Sequence, residues 1–147
     1  MIKISATELA GFRSWLGSQT DEVKKECRVA IADVTHEFIT SAKHKVNVYK
    51  RLTGKNGPHG RLMSSIRPEF TKDGLSSLVV ADTDYAAYQE FGTGDLVSIE
   101  PGYEGIAAEY KGLGIRKVNV PPKSYFFSNF ERANKRLMHE LNKMGFR

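Results

Sequence analysis

With 147 residues, 40% of them apolar and 27% charged, and a formal net charge of only +5, the chain reads as one globular domain rather than a disordered segment. Its apolar runs fall far short of the ~20 residues a membrane helix needs, and Met1-Ile2-Lys3-Ile4-Ser5 does not lead into the apolar stretch of a signal peptide. Cys27 is the lone cysteine, which excludes a disulfide within the chain and suits a reducing, cytoplasmic setting.

In chain order, Ile2 to Ile4 is expected to form a short strand or extended arm. Ser5-Ala6-Thr7-Glu8 has the form of a capping box for a short helix whose apolar face is Leu9, Phe12, Trp15 and Leu16. Gly17 and Ser18 end that helix, so arm and helix together occupy residues 1–18. Ser18 or Thr20 is placed to cap a second helix, which opens with Asp21 and Glu22, carboxylates favourable to its dipole. From Val23 through Cys27, Ala30, Ile31, Val34, Phe38 and Ala42 to Val46, apolar residues recur every three or four positions, a stripe about seven turns long. This helix is expected to end near Tyr49.

Gly54 to Gly60 (GKNGPHG) is a loop by composition. Arg61 to Ile66 is expected to begin as a helical turn and run into a strand through Thr71. Lys72-Asp73-Gly74 marks a hairpin turn, and Leu75 to Ala81 the return strand. Asp82-Thr83-Asp84 is expected to cap a short helix from Tyr85 to Phe91, with Gly92 supplying a left-handed exit. In that helix Tyr85, Tyr88 and Phe91 are expected to anchor on the sheet. The stretch 93–123 then forms a long loop or hairpin. At roughly thirty residues it exceeds an ordinary structureless connection, so Leu96 to Ile99 and Arg116 to Val120 are expected to pair. Phe126, Phe127, Phe130, Leu137, Met138, Leu141 and Met144 mark a C-terminal amphipathic helix. The whole, 1–147, is a single α+β domain: a long N-terminal helix and a C-terminal helix packed on a small antiparallel sheet.

The charges fall in bands. Phe38 to Pro68 holds seven basic residues and no acidic one; Glu69 to Glu109 holds nine acidic residues against Lys72; Tyr110 to Arg147 holds nine basic against two acidic. These bands either form opposed surface patches or neutralise each other within the fold. The basic run, with Lys43, Lys45, Lys50, Arg51 and Lys55, is a candidate DNA-facing surface or simply a solvated face. No recognition-helix or zinc-finger pattern accompanies it.

Motifs for catalysis are missing. The GKNGPHG loop lacks the Gly-Lys-Ser/Thr entry into a helix that a phosphate loop requires. Asp82-x-Asp84 is explained by helix capping as readily as by a metal. The four histidines have no ligand spacing, and Cys27 lies on an apolar stripe where a thiol is inert. Neither an active site nor a cofactor or metal site is expected, so the chain is read as a non-enzyme.

Two stretches carry a more specific signal. Gly60-Arg61-Leu62-Met63-Ser64-Ser65-Ile66 resembles the T-G-x-L-x-x-S-I segment of a bacteriophage neck and tail-completion family. Asp84-Tyr85-Ala86-Ala87-Tyr88-Gln89-Glu90-Phe91-Gly92-Thr93-Gly94 is similar to that family's Y-A-x-x-x-E-F-G-T segment. Pro121-Pro122-Lys123-Ser124-Tyr125-Phe126-Phe127 loosely resembles its P-x-x-P-F entry into a final helix. Coverage runs from about Asp21 to Met144. The resemblance implies a structural virion protein, assembled in the host cytoplasm: a subunit of a hexameric ring in the neck, or head–tail connector. Its implied partners are the head-closure stopper, the tail terminator, and DNA passing through the bore without being read. A tail-terminator or tail-tube component, or a non-specific nucleic-acid-binding protein, are the alternatives. For a ring, the expected subunit contacts are Gly92, Thr93, Asp95, Glu100, Glu104 and Glu109 on one surface, with Arg132 and Arg136 on the other.

Overall fold

The computed structural model describes residues 9–53, 59–93, 99, 101–105 and 120–146. The expected strand at Ile2 to Ile4, the Ser5–Glu8 capping box and most of the expected hairpin between 94 and 119 lie outside the described residues. The elements are α1 (Leu9–Gly17), α2 (Asp21–Thr53), α3 (His59–Ser65), β1 (Ile66–Phe70), β2 (Ser77–Ala81), α4 (Ala86–Phe91) and α5 (Phe127–Lys143). This is the expected α+β architecture: two long helices and a two-stranded antiparallel sheet.

The α2 stripe does what its spacing implies. Cys27, Ala30, Ile31, Val34, Phe38, Ala42 and Val46 are all buried. Thr20 caps the helix, its Oγ1 accepting from the Val23 N–H at 3.4 Å and its carbonyl from the Lys24 N–H at 3.0 Å. The helix runs to Thr53 rather than stopping near Tyr49, because Lys50, Arg51 and Leu52 are good helix formers and no glycine intervenes before Gly54. None of the described helices is long and apolar enough to cross a membrane.

Helix α5 lies antiparallel against α2, and the contacts repeat in steps of four on both. The Lys45 ammonium donates to Ser128 Oγ at 2.7 Å, Arg132 donates to Ser41 Oγ at 2.8 Å, and Arg136 forms an ion pair with Glu37. Cys27 Sγ meets Met144 Sδ at the far end, at 3.6 Å. One core cluster, around Leu62, Ile66, Ala81, Tyr125, Phe126 and Phe127, sits where α2 meets α3, the sheet and the start of α5. A second holds Phe12, Leu16, Cys27, Ile31 and Leu141, and fastens α1 to the other end.

In the hairpin, Ile66 pairs with Ala81 and Phe70 with Ser77. The return strand begins at Ser77 rather than Leu75, because residues 71–76 close a wider turn. Thr71 N–H donates to the Ser76 carbonyl at 3.0 Å, and Asp73 Oδ1 accepts from Thr71 Oγ1 at 2.6 Å and the Leu75 N–H at 3.1 Å. Those two hydrogen bonds hold the Asp73 carboxyl below its ordinary range. The loop expected to reach Gly60 is also shorter, since α3 starts at His59.

Burial of Cys27 is complete, and it pushes the thiol's pKa up, with the neighbouring Glu26 adding to the effect. The native chain should therefore react with iodoacetamide at least ~100-fold more slowly than the urea-unfolded chain. The neutral thiol's contribution to stability is full below the unfolded pKa of ~8.5 and is lost as pH rises through the higher folded value. Cys27→Ala should cost about 1 kcal/mol at neutral pH and flatten this alkaline loss. Rapid native labelling would contradict the packing.

Candidate functional site

The segments carrying the resemblance, remote in sequence, meet in space. Helix α4 is short, and its buried face is Ala86, Ala87, Glu90 and Phe91. The acidic run before it does not cap it, contrary to expectation. Tyr85 occupies the N-cap position and its side chain does not cap the helix, while the Thr83 carbonyl accepts from the Ala86 N–H at 3.0 Å. Asp82 instead meets Arg67 at 3.2 Å, because the Ile66–Ala81 pairing brings the two strand ends side by side.

Nor does α4 anchor chiefly on the sheet. Its closest partner is the approach to α5: Phe91 stacks on Phe127 with centroids 5.5 Å apart, and the Lys123 N–H donates to the Gln89 carbonyl at 2.8 Å. Tyr88 is only half-buried, so it is Phe91 that fixes the helix.

Glu90 is the central residue, at 3% exposure. Its Oε1 accepts from Ser124 Oγ at 2.8 Å and the Phe127 N–H at 3.0 Å; its Oε2 accepts from the Tyr125 and Phe126 N–H groups at 2.8 and 2.9 Å. Helix α5 has no acidic residue in its first turn and no side-chain cap of its own. Glu90 provides both from a different element, satisfying orphan amides and placing negative charge at the positive end of the helix dipole. The burial of a carboxylate is offset by this full set of donors.

Tyr125 closes the other side, its hydroxyl donating to the Ala86 carbonyl at 3.2 Å. Burial, with Glu90 and Tyr85 adding to it, pushes the phenol well above its usual pKa, so it stays a neutral donor.

Two residues after Glu90 the chain turns sharply. Gly92 has φ 81° and ψ −174°, a region essentially reserved for glycine. Its N–H donates to the Tyr88 carbonyl at 3.0 Å, and it delivers Thr93 to Val120. Thr93 N–H donates to the Val120 carbonyl and Val120 N–H to Thr93 Oγ1, both at 2.9 Å. This clasp pins the two ends of the segment 94–119 to the body of the protein.

The other expected site residues are dispersed. Asp95, Glu100, Glu109 and Lys55 lie outside the described residues. Glu104 is exposed, its Oε2 accepting from the Gly102 N–H at 2.8 Å. Arg132 and Arg136 both reach Glu37 of the same chain while staying exposed, at 64% and 47% of the side chain. The basic run does not form one patch: Lys45 reaches Ser128 on α5, and at 100° per residue Lys43, two positions earlier, lies on the other side of α2. Among the described residues, no group of three or more His, Cys, Asp or Glu is placed to hold a metal ion.

Sequence reasoning missed the role of Glu90. The available signal was a carboxylate in register with Ala86 and Ala87, on a face otherwise apolar, together with a final helix that brought no cap. No protein-family model, curated protein or solved structure matches the chain.

Proposed function

We propose that the chain is a structural virion protein, a tail-completion or neck ring subunit between a bacteriophage tail and its head-closure complex. The reading rests on the resemblance of Gly60–Ile66 and Asp84–Gly94 to that family. One observation supports it most: the Glu-Phe-Gly-Thr residues form a single rigid fitting, Glu90 tying down α5 and Thr93 clasping the base of the segment 94–119. A fitting of this kind suits a subunit that holds a long connection in place for contact with neighbours. The carboxylate at its centre is saturated with donors and positions structure rather than reacting.

In this reading copies of the chain close head to tail, and the acidic residues of 94–109 meet a basic surface on the adjacent copy or ring. The placement of Lys43 and Lys45 on two sides of α2 weighs against a free DNA-binding protein and leaves Lys43 as a bore-facing candidate.

Native mass spectrometry and electron microscopy of the purified chain should reveal a closed ring, and crosslinking in tailed particles should place it at the head–tail junction. Replacing Glu100, Glu104 and Glu109 together by lysine should slow ring formation at low salt. Individual rim pairs contribute only ~0–1 kcal/mol, so the effect belongs mainly to assembly rate. A chain that stays monomeric at every concentration and never co-purifies with tailed particles would count against the proposal.

A further inference from the structure

Helices α2 and α5 carry opposite charge on the same face of the molecule. At 100° per residue, Glu22, Glu26, Asp33 and Glu37 fall within about 60° of one another around α2. No lysine or arginine of residues 21–40 shares that sector. Around α5, Arg132, Arg136, His139 and Lys143 occupy a sector of about the same width, which holds no acidic residue.

The Arg136–Glu37 ion pair sets the two sectors edge to edge along the seam between the helices. An open hollow of about 630 Å³ follows the seam, lined by Glu22, Glu26, Val29, Asp33 and Arg136 among others. Lys25 and Glu140 also line it, and their charges offset each other. Val29, at 54% exposure, is the least covered large apolar side chain among the described residues.

Two parallel stripes of opposite sign make a surface complementary to itself. A half-turn about an axis along the seam lays the α2 stripe of one copy on the α5 stripe of the other, and symmetry supplies the reverse contact. At the level fixed by Glu37 and Arg136, Asp33 then meets the partner's Arg136 and the partner's His139, while Glu26 meets the partner's Lys143. A nucleic acid is repelled by one stripe and a basic peptide by the other, so the face suits a partner bearing both.

The 17 residues of α5 span about 25 Å, and two helices side by side are about 20 Å wide, which gives roughly 500 Å² per copy. About 1,000 Å² in all is the low end for a specific interface, so the association is weak and sensitive to salt.

We propose that the α2–α5 face is the interface of a two-fold homodimer, in which the helices of two copies form an antiparallel four-helix bundle. This contact differs from the head-to-tail contact of a ring and does not depend on that reading.

The test uses the full chain. Sedimentation velocity across a concentration series at low salt should show a dimer, whose dissociation constant rises about tenfold or more when salt is raised to about 0.5 M. Glu26→Lys with Asp33→Lys should abolish it, as should His139→Glu with Lys143→Glu. An equimolar mixture of the two double variants should regain a dimer, because the reversed stripes attract each other and the remaining native stripes do too. All four positions are exposed, so circular dichroism should show unchanged helix content in both variants. A wild-type chain that is monomeric throughout, double variants that associate as the wild type does, or a mixture that stays monomeric would each overturn the proposal. The unmodified chain gives an independent answer, since a dimer indifferent to salt would overturn it as well.

Discussion

Glu90→Ala is expected to destabilise the protein by about 3–5 kcal/mol, the largest effect of any single polar substitution proposed for it. The carboxylate accepts from three consecutive backbone N–H groups and a serine hydroxyl. Without it, the amides of Tyr125, Phe126 and Phe127 remain buried beside fully buried aromatic rings with no acceptor. Each unsatisfied amide carries a penalty of roughly 1–3 kcal/mol, reduced where water enters the space left by the side chain. Glu90→Gln should lose less, about 2–3 kcal/mol, because one amide oxygen still accepts while the NH₂ faces donors. Urea unfolding followed by circular dichroism measures both. A loss below 1 kcal/mol for the alanine variant would show that α5 does not depend on this cap.

Gly92→Val should cost about 3 kcal/mol, more than its position at a helix end alone would predict. With φ 81° and ψ −174° the backbone lies where a β-branched side chain collides with its own peptide groups. Gly92 is itself buried, and it connects the Glu90 cap to the Thr93 clasp, so backbone movement there loosens both. Chemical denaturation should register the loss, and hydrogen exchange should show faster opening of the Val120 amide, which Thr93 Oγ1 holds. Gly11→Ala provides the contrast. It lies inside α1 with open space at the Cβ position, and alanine there should stabilise by about 0.5–1 kcal/mol. Equal effects at the two glycines would remove the argument from conformation at Gly92.

Features governed by neighbours along the chain were legible from the residues alone. The three- and four-residue spacing on α2 allowed only one side of that helix to face a core, and the residues of that stripe are buried apart from the half-buried Val23, with Thr35 and Ile39 buried beside them. Lys72-Asp73-Gly74 had to turn, and Gly92 had to leave α4 with a positive φ, because only local sterics decide such positions. The long and C-terminal helices and the hairpin follow from the same short-range rules. The exact ends of α2 and β2 did not, since capping and turn hydrogen bonds move them by a few residues.

Charged side chains behaved differently, because their partners lie far away in sequence. Glu90 belongs to a strongly acidic band, yet it is buried under the first turn of α5, more than thirty positions later. Arg136 belongs to a basic band and is paired with Glu37 on α2; Arg67, in another, reaches Asp82 across the hairpin. Counting charges along the chain describes a surface only when each charge is solvated. A carboxylate stripped of water lowers its energy at whatever donors the packing brings within hydrogen-bonding distance. The sequence by itself determined which faces were apolar and where the backbone had to bend. The antiparallel docking of α5 on α2 and the approach of 120–127 to α4 decided which charges remained on the surface and which became part of the core, because those distances are set by packing between elements and not by spacing within them.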